Sequence, residues 1–139
     1  MRILIVDENK ESKEELTTGL KNSKKEFVLF YANDGVEALS LIQEGVDIDL
    51  IVSDLQLPKM SGISLLEVLR NKNSTVQFIL FSNEAPKKLN EISKSLQLSG
   101  WFSKSFTEQM KLESSQLIEQ LEKFSDQLDA LKEYDSLKN

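Results

Sequence analysis

Apolar residues follow two alternating rhythms along this chain. Ile3 to Val6, Leu50 to Val52 and Phe78 to Phe81 are short, near-continuous apolar runs, as strands covered on both faces require. With two weaker runs they predict strands over about 2–7, 27–32, 49–54, 76–82 and 101–104. Between them the apolar positions recur at helical spacing. Leu16 and Leu20 mark 9–23; Val36, Leu39 and Ile42 mark 35–44. Ile63, Leu66 and Leu69 mark 62–72, and Leu89, Ile92 and Leu96 mark 86–97. Gly35, Gly62 and Gly100 punctuate the turns. Strands alternating with helices predict an α/β fold, a parallel sheet wound on both faces with right-handed crossovers.

From Phe106 onward Gly and Pro vanish. Met110, Leu117, Leu121, Phe124, Leu128 and Leu131 fall on one three-four repeat, broken only by Ser114. Acidic and basic residues, from Glu113 to Glu133, occupy the other faces. This predicts an amphipathic helix to about residue 134, roughly 42 Å long at about 1.5 Å per residue. Leu117, Ile118 and Leu121 suit packing on the sheet, whereas Phe124, Leu128 and Leu131 are expected to project beyond it. The expected organisation is one domain over 1–122 and a helical extension over 123–139, either a linker or a coiled coil pairing two copies.

Composition narrows the chemistry. With 139 residues, 40% hydrophobic and 29% charged, the chain suits a single globular core. No apolar run approaches the roughly 20 residues of a membrane helix, and no secretory leader is visible, so a cytoplasmic location is expected. Cysteine and histidine are both absent. That excludes disulfides, thiolate catalysis, a histidine phosphodonor and a Ser-His-Asp hydrolase, and leaves oxygen ligands for any metal. A net charge of −6 without a basic cluster argues against a nucleic-acid surface.

In an open parallel sheet, ligands gather beyond the carboxyl ends of the strands. There the first strand ends in Asp7 and Glu8, the third in Asp54, the fourth in Ser82 and the fifth near Lys104. Taken singly, each has a plain reading. An Asp after a strand is commonly a turn residue or helix cap, and a Lys is commonly a solvated charge. Together they form a coherent set. Clustered carboxylates call for a hard divalent cation, and magnesium is the ion that joins carboxylates to phosphate. A carboxylate so held can attack a phosphoryl group, with Lys104 stabilising its oxygens and Ser82 donating a hydrogen bond.

The segments ILIVDEN, NDGVEAL (33–39), SDLQLPKMSG (53–62), FILFSN (78–83) and GWFSKSF (100–106) resemble the receiver domain of two-component response regulators, including the single-domain chemotaxis regulators. The resemblance covers about residues 1–106. It implies a flavodoxin-like sheet of strand order 2-1-3-4-5. It also implies Asp54 as phosphoacceptor, with Mg2+ held by Asp7, Glu8, Asp54 and the Gln56 backbone carbonyl. By the same carry-over, Lys104 pairs with the phosphoryl group, Ser82 and Trp101 are the switch residues, and Gln56 and Glu84 tune phosphate lifetime. The chain departs from the family in three places. Glu8 replaces a second Asp, Trp101 stands where Tyr or Phe is usual, and Ser105 replaces the proline after the lysine.

The function expected is a phosphorylation switch, not an enzyme acting on other substrates. A sensor histidine kinase or phosphotransfer protein charges it, and a downstream effector reads it. The alternative is a receiver-like dimerisation module independent of phosphate, suggested by Trp101 and Ser105. A small-molecule enzyme on the same sheet is the third reading. The acidic loop after the first strand disfavours it, since a phosphate-bearing cofactor needs a glycine- or hydroxyl-rich cradle.

Overall fold

The computed structural model describes residues 1–72, 74–84, 86–104 and 108–138; for Pro86, residues 108–113 and Lys138 it describes the backbone alone. Ser105 and Phe106 therefore lie outside the described residues, as do the side chains of Met110 and Glu113. The order is β1 (Arg2–Val6), α1 (Lys10–Lys21), β2 (Val28–Ala32), α2 (Gly35–Gln43), β3 (Leu50–Ser53), α3 (Gly62–Asn71), β4 (Gln77–Ser82), α4 (Pro86–Leu96), β5 (Gly100–Ser103) and α5 (Glu108–Lys138). All strand pairs are parallel, and the sheet order is β2-β1-β3-β4-β5.

The apolar runs divide between two cores because alternate strand residues point to opposite faces. Ile3, Ile5, Leu50, Val52, Ile79 and Phe81 meet Leu16 and Leu20 of α1 and Leu117 and Leu121 of α5. Leu4, Val6, Ile51, Phe78 and Leu80 meet Ala38 of α2, Leu65, Leu66 and Leu69 of α3, and Leu89 of α4. Three helices start where a side chain satisfies an otherwise orphaned backbone N–H. Asn9 accepts from Ser12 N, Asp34 from Glu37 N and Ser61 from Ser64 N. Asn9 and Asp34 thereby begin α1 and α2 directly after the loops that leave β1 and β2.

The last helix departs from expectation. Phe124 does not project beyond the domain; it packs against the core that Leu117 and Leu121 enter. Leu128 is half-buried and lines a groove with Met1, Asp49, Gln77 and Phe124, where strands begin. The physical reason is that α5 runs against α1 past the amino-terminal edge of the sheet. Polar contacts to the α1–β2 loop hold it there: Ser23 Oγ donates to Glu122 at 2.7 Å, and Lys25 pairs with Asp126. Leu131, Tyr134 and Leu137 remain exposed, Leu131 at 60% and Leu137 at 81%. Half of the three-four seam is thus occupied by the chain's own sheet. Among the described residues no helix is long and apolar enough to cross a membrane.

Candidate functional site

The strand ends carry the site. Beyond β1, Asp7 N donates to Ala32 O at 3.0 Å, and beyond β3, Asp54 N donates to Val6 O at 2.9 Å. Beyond β5, Lys104 N donates to Ser82 O at 2.7 Å. These bonds continue the sheet by one residue and set three side chains around one crevice. Lys104 Nζ donates to Asp7 Oδ2 at 2.5 Å and to Asp54 Oδ2 at 2.7 Å. The other carboxylate oxygens accept from the loop backbone: Asp7 Oδ1 from Asn9 N at 2.8 Å, Asp54 Oδ1 from Gln56 N at 3.1 Å.

One ammonium therefore serves two carboxylates, which leaves the cluster one negative charge in excess. The Lys104 and Asp7 side chains are only 4% and 5% exposed, while Asp54 is 15% exposed. Asp54 is the carboxylate an incoming group can reach. Burial pushes the Asp7 carboxyl above its usual range, against the opposing pull of the Lys104 ammonium. Phe81 lies beneath the lysine, with Nζ 5.4 Å from the ring centroid, and keeps water from that side.

The β3–α3 loop is held by close backbone approach. A Cβ on Gly62 would lie 2.2 Å from the Asp54 carbonyl oxygen, so α3 can start here only with glycine in place. Gly35 approaches Met60 O in the same way and donates its N–H to it at 3.1 Å. Across the crevice, Ser82 is buried at the end of β4, and its oxygen accepts from Glu84 N at 3.4 Å. Gln56 Nε2 reaches Glu84 Oε1 at 2.6 Å, and Lys88 lies 3.5 Å from the same oxygen. Trp101 in β5 is half-buried against the α2–α4 side of the core.

Of the residues expected at the site, Asp7, Asp54 and Lys104 are in contact, with Ser82 and Gln56 joined to them through the backbone. Glu8 is exposed, because consecutive residues leaving a strand point to opposite sides. Among the described residues no three acidic side chains gather into one metal-holding group. The donors present, two carboxylates sharing one ammonium, still suit a hard divalent cation. Pattern reading missed Phe81 and Ser53. The hydroxyl of Ser53, at the end of an otherwise apolar run, was the available signal for the second.

A family model described as the response regulator receiver domain matches residues 3–132. The transcriptional regulatory protein CusR of Escherichia coli is 34% identical over 82 residues, covering 59% of this chain and 35% of that protein. The chain thus spans about a third of that relative's length. Among solved structures, the response regulator domain of Thermotoga maritima CheB superposes with TM-score 0.78 at 20% identity, over 91% of this chain and 96% of that one. The Mn(2+)-bound form of response regulator Rcp1 gives 0.76 at 22% identity, over 84% and 90%. The fold and the family model together place this chain in the response regulator receiver domain family.

Proposed function

We propose that this chain is a phosphorylation switch of two-component signalling, with Asp54 as the phosphoacceptor. The observation that carries the reading is the Lys104 ammonium shared between Asp7 and Asp54, of which Asp54 is the more open to an incoming group. A sensor histidine kinase or phosphotransfer protein supplies the phosphoryl group. An Asp54 carboxylate oxygen forms the new bond to phosphorus as the donor's P–N bond breaks, and the donor imidazole keeps the electron pair. Lys104, already within reach of Asp54, pairs with a phosphoryl oxygen. The oxygen of Ser82 accepts from Glu84 N, so its own proton is available to donate to another.

Asp7, Glu8, Asp54 and the Gln56 backbone carbonyl are the groups that would hold Mg2+, which would supply positive charge to the phosphoryl oxygens. The chemistry proposed is confined to Asp54: its carboxylate accepts the phosphoryl group, and water later removes it as phosphate. Formation of the aspartyl phosphate shifts the balance between two conformations around Ser82 and Trp101, which a downstream effector reads in the cytoplasm. Trp101 is the sole tryptophan, so its fluorescence reports on this region. Beryllofluoride with Mg2+ is expected to change that fluorescence in the wild type and not in Asp54→Asn. An identical response in both would remove the proposal's basis. A second reading is phosphate-independent pairing of two copies through the exposed Leu131, Tyr134 and Leu137 of α5. Sedimentation at rising concentration tests it; Leu131→Glu should abolish the dimer if this reading holds.

A further inference from the structure

Ser53 is a polar residue at the end of the central strand β3, after three apolar ones, and it is completely buried. Its hydroxyl donates to the carbonyl oxygen of Asp54 at 2.8 Å. That carbonyl lies where the sheet ladder stops, since the pairing of β3 with both β1 and β4 ends at Ser53. It faces the start of α3, so close to Gly62 that a Cβ there would meet it at 2.2 Å and would meet Ser53 Oγ at 3.0 Å. No water-sized gap separates this carbonyl from α3. A carbonyl pressed against a helix start in this way needs a donor from within the protein.

We infer that Ser53 is a positioning residue for Asp54: its hydroxyl fixes the peptide plane from which the carboxylate springs. The same peptide leads to Gln56, whose N–H binds Asp54 Oδ1 at 3.1 Å. With the hydroxyl removed, the carbonyl turns in search of a donor, and the carboxylate turns with it. Misplacement by about 1 Å can cost a reaction up to roughly a hundredfold in rate. The inference rests on Asp54 being the phosphoacceptor.

The test measures phosphorylation by acetyl phosphate with Mg2+ as a function of donor concentration, in wild type, Ser53→Ala, Ser53→Thr and Ser53→Val. Folded fraction is measured alongside, and rates are expressed per folded molecule. Ser53→Ala is expected to lower the maximal rate about tenfold or more with the half-saturating donor concentration unchanged. Ser53→Thr and Ser53→Val are nearly equal in size and differ in the hydroxyl, so the Thr variant is expected to be the faster. A wild-type maximal rate per folded molecule in Ser53→Ala overturns the inference, as do equal rates for the Thr and Val variants. A wild type that takes up no phosphoryl group would instead be a failure of the switch proposal itself.

Discussion

Lys104 is the residue on which the electrostatics of the site turn. Replacing it with Met leaves Asp7 and Asp54 facing each other in a mostly buried crevice, 5% and 15% exposed. Removing one partner from a buried charge pair costs about 3 kcal/mol or more. Urea unfolding of Lys104→Met without divalent cation should show a loss of this order, and added Mg2+ should recover part of it. Asp7 gives a pH signature. Burial raises its carboxyl, so the folded chain holds that proton more tightly than the unfolded one. The stability it contributes is full below about pH 4 and is lost as pH rises through the raised value. Metal-free Asp7→Asn should therefore gain on the wild type as pH climbs from about 4 toward 7, measured as the difference in urea midpoint. A constant difference would mean that Asp7 titrates alike in both states. Asp7, Asp54, Ser82 and Lys104 could be found in the sequence because each ends a strand-like run, and parallel topology sends all such ends to one edge. Ser53 could not be assigned that way. Its bond is to the next residue's carbonyl, and no spacing rule encodes it.

At the scale of elements, the loop between β3 and α3 is the most constrained part of the site. Gly62→Ala would drive a methyl group into the Asp54 carbonyl, a backbone atom that cannot step aside alone. A destabilisation of about 1–3 kcal/mol is expected, with slower phosphorylation per folded molecule; thermal melting and kinetics together check it. The mouth of the crevice makes a different prediction. Glu84→Ala breaks the bond from Gln56 Nε2 and the contact with Lys88, opening the site to water. The aspartyl phosphate should then decay several-fold faster, followed by loss of the phosphorylated mass over time. Element type and order were legible because apolar runs and helical spacing separate cleanly here. Ends were less so: Asn9 and Asp34 cap their helices through side-chain bonds, and α1 closes at Lys21 where the pattern extended to residue 23. The path of α5 was hidden for a related reason. A three-four repeat looks the same whether its partner is another helix or the chain's own sheet, and Phe124 meets the sheet.

For the whole molecule, a five-stranded parallel sheet with helices on both faces leaves one edge rich in chemistry and one long helix with an uncovered end. Leu131 sits at the rim of the groove beside Phe124 and Leu128, and Leu137 lies further out; both are largely exposed. In a monomer Leu131→Glu and Leu137→Glu should each change stability by no more than about 0.5 kcal/mol, so a larger, concentration-dependent loss would point to a second copy covering them. Phosphorylation of Asp54 itself is read from the mass of the chain. The intact mass of the protein is measured after incubation with Mg2+ and acetyl phosphate, beside Asp54→Asn and a sample with the metal chelated. A gain of one phosphoryl group is expected in the wild type alone; no gain in the wild type, or the same gain in Asp54→Asn, would rule out Asp54 as the phosphoacceptor.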